Sequence, residues 1–319
     1  MNKLYLLTSV YNLLRIRGAI TARIFSPFRR TIVQVANRTL PKYLGKVCNH
    51  HAKRLDDVII SVTSFPERIE SVWMTIQSLK LQTLLPHKII LWLSKEQFPN
   101  QDSIPLSLKK LVDDLFEIKM VDGDLRSHKK YFYALRYYPS KNIVTFDDDI
   151  FYHPNLMQTL YLTHLDYPNC IISNKTARFV VEKGILLPYC KWDRMTSVFD
   201  SKNQVQIGVG GVLYPPKSLH NDVLDVDMFM ALTPYADDLW LNAMARLNGT
   251  IVLKSSFKGA FIQINDGSPT LSYDNYIQGR NDIQLKNLRL AIIKKYGVDV
   301  YDENYCINSL NNENRNTDI

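Results

Sequence analysis

Three consecutive aspartates, Asp147, Asp148 and Asp149, follow the short apolar run Ile143, Val144, Thr145 and Phe146. The run reads as a buried strand that ends in acids. In an open α/β sheet, ligands lie outside the carboxyl ends of the strands, so these acids face the crevice where substrate would sit. Three adjacent carboxylates repel one another, and a divalent cation relieves that repulsion most directly. Oxygen-only ligands favour Mg²⁺ or Mn²⁺, with water and substrate phosphate completing the shell.

Four other stretches have residue types that suit such a site. Thr63, Ser64 and Phe65 end an earlier β-rich run, with Arg68 just beyond, where hydroxyl, backbone and guanidinium groups could meet a nucleotide. Ser127-His128-Lys129-Lys130 opens a helix, and a helix N-terminus with ammonium groups suits a diphosphate. Gly208-Val209-Gly210-Gly211 interrupts an apolar β run, which implies a bulge or a close ligand approach. Asp237-Asp238 opens a further helix, either as an N-cap or as a carboxylate able to deprotonate an acceptor hydroxyl.

Alternating elements are needed to bring these stretches together. Strand Asp57 to Thr63 precedes a helix with Ile69, Val72, Trp73, Ile76 and Leu79 at helical spacing, and then strand Lys88 to Leu93. A helix around Leu106 to Leu115, strand Phe116 to Val121 and helix Lys129 to Tyr138 lead into the acidic strand. This alternation predicts a parallel, right-handed βαβ sheet. A helix from Pro154 to Leu165 follows, then β segments Cys170 to Ser173, Phe179 to Val181, Ile185 to Leu187 and Gln206 to Tyr214. Helix Asp237 to Leu247, strand Thr250 to Lys254, a polar loop Gly267 to Gly279 and helix Asp282 to Tyr296 complete the domain.

The net charge of +8 over 319 residues is unevenly placed. Residues 1 to 54 hold eleven Lys or Arg and no acid, whereas the rest holds 28 basic and 31 acidic residues. Leu6, Val10, Leu13 and Leu14 recur at helical spacing, with Tyr5 and Tyr11 nearby and Arg15, Arg17, Arg23, Arg29 and Arg30 interspersed. This pattern predicts an amphipathic arm for an anionic membrane surface, or an extra helical layer on the domain. No nucleic-acid module follows the arm. The charge-free run Leu4 to Leu14 is too short to span a bilayer, and Arg15 and Arg17 interrupt a signal-peptide pattern. Cys48, Cys170, Cys190 and Cys306 are widely separated, which argues against a zinc site or disulfide framework and for a reducing compartment such as the cytoplasm. The basic arm would place the chain on the inner face of the membrane. The expected organisation is an arm at 1–55, a catalytic domain at 56–303 and a disordered Asn-rich tail at 304–319.

Taken as an ordered set, VTSFPERI (62–69), QTLLPHKIILWLS (82–94), HKKYFYALRYYP (128–139), IVTFDDDIFYHP (143–154), GVGGVLYPP (208–216) and ADDLWLNAMA (236–245) resemble nucleotide-sugar glycosyltransferases of the GT-A fold. The likeness is to family 2-type enzymes of bacterial capsule and lipopolysaccharide assembly. The resemblance implies a Rossmann-like α/β domain, a mostly parallel sheet with helices on both faces and a mixed second half. It makes Asp147 and Asp149 the outer acids of a D-x-D motif, with Asp149 on Mn²⁺ or Mg²⁺ and Asp147 on that metal or the nucleotide. Thr63, Ser64, Arg68, Lys129, Lys130 and Asp148 would complete the donor site, which the resemblance expects to take a UDP-sugar. Gly210, Gly211 and Trp240 would line the acceptor or donor-sugar loop, and Asp238 or Asp237 would be the base of an inverting transfer to a saccharide or lipid-linked saccharide. The chain has Asp-Asp where the commonest family 2 pattern has Glu-Asp.

Three other readings share the same residues. A haloacid dehalogenase-like phosphatase also has a strand ending Asp-x-Asp, although three βα units precede it here and Phe151 stands where a small hydroxylic residue is expected. A sugar nucleotidyltransferase would use the same sheet and metal, but Ile59 to Arg68 lacks its Gly-rich phosphate loop. A non-catalytic glycan-binding module would explain a crevice but not so many acids.

Overall fold

The structure is a computed structural model that describes residues 2–14, 19–47, 52–194, 203–265, 267, 279–302 and 305. Two helices come first, α1 (Lys3–Leu13) and α2 (Ala19–Leu44). A seven-stranded sheet forms the centre: β1 (Val58–Thr63), β2 (Lys88–Ser94), β3 (Phe116–Val121), β4 (Asn142–Thr145), β5 (Ile171–Ser173), β6 (Val212–Tyr214) and β7 (Val252–Lys254). Its order is β7-β5-β6-β4-β1-β2-β3. β4, β1, β2 and β3 are mutually parallel and β7 is parallel to β5, whereas β6 runs antiparallel to both neighbours. This is the mostly parallel sheet with a mixed second half that the sequence predicts.

Side-chain alternation explains why β1 and β2 are apolar almost throughout. Val58, Ile60, Val62, Ile89, Leu91 and Leu93 pack into one core layer, and Ile59, Ile90 and Trp92 into the other. Helix α3 (Val72–Lys80) and helix α5 (Leu156–Asp166) cover the first face. The second is covered by α4 (Lys129–Tyr137), α7 (Asp237–Leu247) and α8 (Arg280–Tyr296), with the short α6 (Val226–Leu232) beside them. The chain moves from β1 outward to β2 and β3, then returns through α4 to β4 on the other side of β1. The carboxyl ends of β1 and β4 therefore flank the topological switch point, where α/β sheets bind ligands.

Three predicted elements differ. Where a strand is expected over Phe179 to Val181, the structure has a break between the short strands Thr176–Arg178 and Val181–Glu182. The helix expected over Leu106 to Leu115 is one turn, Leu106–Lys109, because Asp113 Oδ1 accepts the Leu115 and Phe116 N–H groups and turns the chain into β3. The run Gln206 to Tyr214 is not one strand. Gln204–Gln206 belongs to a small separate sheet, Gly208–Gly210 forms a 3₁₀ turn, and the chain then enters the central sheet as β6. The predicted tail, apart from Tyr305, and most of the predicted loop from Gly267 to Gly279 lie outside the described residues.

The arm packs on the domain. Leu4 of α1 and Ala36, Leu40 and Leu44 of α2 join Leu81, Phe151, Ile262 and Ile264 in a third apolar cluster. Asn37 donates to Gln263 O at 3.0 Å and accepts the Asn265 N–H at 2.8 Å, which fixes α2 along the strand Ile262–Gln263.

Candidate active site

The acidic turn after β4 is held by its backbone as well as its side chains. Asp147 N–H donates to the Tyr152 hydroxyl at 3.0 Å, Thr75 Oγ1 donates to Asp148 O at 2.8 Å, and Ile264 N–H donates to Asp149 O at 2.7 Å. Each anchor comes from a different element, so the three carboxylates are fixed before any ligand arrives.

The three side chains diverge. Asp148 is buried, and its oxygens accept Ser64 Oγ at 2.6 Å and Arg68 Nη1 at 2.7 Å. Burial still raises its pKa, with Arg68 opposing. Asp148, Ser64 and Arg68 thus form an internal latch between the ends of β1 and β4, which corrects the expectation that Asp148 meets the donor. Thr63 donates to Trp92 O at 2.9 Å across the sheet. Arg68 Nη1 also lies 3.0 Å from Asp149 Oδ2. Asp149 is pushed up to about 7, first by burial and then by Asp147.

Removing Arg68 would leave Asp148 buried without its cation. The Arg68 and Asp148 side chains are 9% and 7% exposed, and breaking such a buried pair costs about 3–5 kcal/mol. Arg68→Met is therefore expected to lower unfolding free energy by about 3 kcal/mol in urea titrations at pH 7, and Arg68→Lys by less. A loss below about 0.5 kcal/mol would show that the latch contributes nothing.

Lys130 joins the two halves of the site. Its Nζ lies 2.9 Å from Asp147 Oδ1 and 2.9 Å from Asp237 Oδ2. Burial would discharge this ammonium, but Asp147, Asp237 and Asp238 outweigh burial and hold it well above the usual lysine range. A hydrogen-bond chain positions it: Trp92 Nε1 donates to Ser61 Oγ at 2.7 Å, and Ser61 Oγ donates to Lys130 O. Lys129 points elsewhere. It is buried against Asp124 Oδ1 at 2.7 Å and Gln97 Oε1 at 2.9 Å, so the lysine pair predicted for the diphosphate is split.

Asp237 and Asp238 occupy the first turn of α7. Burial opposes charge on Asp237, yet Lys130 holds its pKa below the ordinary carboxylate value. Asp238 is pushed up to about 7 by burial and by Asp237, and its Oδ2 accepts the Gly208 N–H at 2.9 Å. A Cβ on Gly208 would stand 3.0 Å from Asp238 Oδ1 and 3.4 Å from Lys130 Nζ, so the glycine admits the carboxylate to the turn. Gly211 has φ +82°, and a Cβ there would meet the Phe146 ring at 2.2 Å. The need for Gly211 is thus backbone geometry and packing under the acidic strand. Gly210 is buried against Lys175 for the same kind of reason. Trp240 corrects another expectation: it is fully buried, donates Nε1 to Val223 O at 3.0 Å and sits in the core, not beside a sugar.

Five carboxylates, Asp147, Asp148, Asp149, Asp237 and Asp238, thus meet two cationic side chains, Lys130 and Arg68, at the switch point. Among the described residues, no group of three His, Cys, Asp or Glu side chains is disposed to hold a metal by itself. The arrangement fits a cation that takes one or two carboxylates, Asp149 and Asp147, and fills its shell with water and phosphate oxygens. The raised Asp149 favours this fit, because a divalent charge would offset the burial and the Asp147 repulsion that raise it. Ser61, Tyr152 and Thr75 escape a sequence reading, since each acts through a single hydroxyl inside an apolar element.

No family model matches the chain, and no curated protein matches it in sequence. Solved structures similar to it include S. aureus TarS 1–349 in complex with UDP, at 11% identity and TM-score 0.45, covering 80% of this chain and 71% of that one. An apo UDP-glucose pyrophosphorylase aligns at 9% identity and TM-score 0.38 over 77% of this chain and all of that one. HddC from Yersinia pseudotuberculosis, complexed with GMP-PN, aligns at 13% identity and TM-score 0.40 over 72% and 99%. The chemistry is therefore read from the site's own geometry.

Proposed function

We propose that this chain is a cation-dependent glycosyltransferase of hexosyltransferase type, moving a sugar from a nucleoside diphosphate, UDP in the first instance, to a hydroxyl of a saccharide acceptor. The observation that carries this reading is the excess of five carboxylates over two cations at the switch point, with Asp149 and Asp238 both near pKa 7. The acidic crevice repels a diphosphate, and a divalent ion, which Asp149 and Asp147 would hold, would offset that repulsion. When bound, Mn²⁺ or Mg²⁺ supplies charge stabilisation for the departing diphosphate.

The chain's own groups then divide the work. Lys130 keeps Asp237 ionised and fixes Asp147 beside it, and Arg68 fixes Asp148 and Asp149. Asp238, with a pKa matched to neutral pH, accepts the acceptor hydroxyl proton. The acceptor oxygen forms its bond to the anomeric carbon as the bond from that carbon to the diphosphate oxygen breaks, and the nucleoside diphosphate leaves with the electron pair. Attack opposite the leaving group inverts the anomeric centre.

A nucleotidyltransferase would need donors for a triphosphate after β1. Here that turn is Ser64-Phe65-Pro66, with no glycine and with Ser64 already committed to Asp148. Product analysis separates the readings. With Mn²⁺ and a panel of nucleotide sugars, release of nucleoside diphosphate, stimulated by added saccharide, is expected. Formation of nucleoside triphosphate from nucleotide sugar and pyrophosphate would overturn the proposal.

A further inference from the structure

The helical arm has a solvent-facing side that the domain leaves uncovered. On α1, Leu6, Val10 and Leu13 recur at i, i+4 and i+7 and are exposed, Leu13 by 73%. On α2, Ile24 and Phe28 are four residues apart and are 58% and 60% exposed. Such spacing normally marks the buried stripe of a surface helix, so these helices present their apolar residues outward. The buried stripe of α2 is a different one, Ala36, Leu40 and Leu44 in its C-terminal half.

Along α2 the outward stripe of Ile24 and Phe28 continues through Val35 to the exposed Arg38 and Lys42. Two cationic side chains on the same stripe as exposed apolar ones suit the phosphates of an anionic headgroup layer. No acidic residue occurs among residues 1–54, against eleven basic ones. Among the described residues, no helix is long and apolar enough to cross a membrane. Exposed apolar side chains interspersed with basic ones, on helices whose own sequence has no acid, are the composition of a helix pair that lies in a lipid headgroup layer.

We propose that the α1–α2 pair is a docking surface for an anionic lipid bilayer, with Leu6, Leu13, Ile24 and Phe28 entering the interface and Arg38 and Lys42 meeting lipid phosphates. The arm is joined rigidly to the site. Its apolar cluster includes Phe151, two residues after Asp149, and Ile264, whose N–H holds Asp149 O. Docking therefore sets the height and tilt of the acidic crevice above the membrane. The inference stands apart from the donor chemistry, since its readout is lipid binding.

The test is vesicle flotation of the full chain on phosphatidylcholine alone and on phosphatidylcholine with about one third phosphatidylglycerol, at low and high salt. Binding only to the anionic vesicles, weakened by salt, is expected. Leu13→Glu with Phe28→Glu should reduce binding at least tenfold, and so should Arg38→Ser with Lys42→Ser, with unchanged circular dichroism as the folding check. Equal binding to neutral vesicles, no binding to either, or full binding by the folded variants would overturn the proposal. So would sedimentation showing that Leu13→Glu with Phe28→Glu dissociates a dimer of the chain, because a second copy would then cover this face.

Discussion

Asp149→Asn is expected to abolish cation-dependent binding of a nucleoside diphosphate and, without ligand, to make the protein more stable at pH 8. The two effects share a cause. Folding raises the Asp149 carboxyl from 3.8 to about 7, so between those values the folded chain keeps a proton that the unfolded chain releases. Stability contributed by that proton falls as pH rises through this window and is flat above it. Asn needs no ionisation. Its advantage should be small at pH 4 and reach about 2–4 kcal/mol at pH 8, taking 1.36 kcal/mol per pKa unit as the upper scale. His128 and His153, both lowered to about 4 by burial, impose the opposite slope, but they do so equally in both proteins and cancel from the difference. Urea titrations of both proteins across this range, with EDTA, measure it. A pH-independent difference would mean that Asp149 is not held in a repulsive, desolvated site.

Asp238→Asn tests the other half of the crevice. As general base, Asp238 must be ionised, and general-base catalysis contributes about 10²–10⁴-fold. The variant should lose kcat by about that factor and retain donor affinity, because Asp147, Asp149 and Lys130 are untouched. Wild-type kcat should rise with pH up to about 7 and then level, and the rise should vanish in the variant. The limb belongs to the coupled Asp237 and Asp238 pair, with Asp237 the member kept ionised by Lys130. Asp237→Asn should act differently, since it deprives buried Lys130 of one of its two partners and so reduces stability as well as rate. Equal kcat in wild type and Asp238→Asn would remove Asp238 from the chemistry.

Much of this arrangement is legible in the sequence, for identifiable reasons. Strands buried on both faces must be apolar throughout, so Val58–Thr63 and Lys88–Ser94 stand out. Helices between them then require a parallel sheet, and the acids after β4 must fall at its carboxyl edge. What the sequence hides is direction within short polar clusters. Neighbouring residues on a helix diverge by about 100°. Lys130 consequently meets Asp147 and Asp237 while Lys129 meets Asp124, and Trp240 enters the core two residues after Asp238 faces Gly208. In the acidic turn the central Asp148 points inward to Ser64 and Arg68. The glycines of 208–211 read as one interrupted strand because nothing in an apolar run states that the chain changes sheets there. Only the packing of Gly211 on Phe146 and the seat of Asp238 on Gly208 reveal why they are required.

The central claim is that binding of a nucleoside diphosphate depends on a divalent cation and on Asp149. Calorimetric titration of the full chain with a panel of nucleoside diphosphates addresses it directly, in Mn²⁺, in EDTA and with Asp149→Asn. The account predicts that one diphosphate, UDP first among them, binds in Mn²⁺ and that its heat disappears both in EDTA and in the variant. Binding that persists in EDTA or in Asp149→Asn, or no binding across the panel, would contradict it.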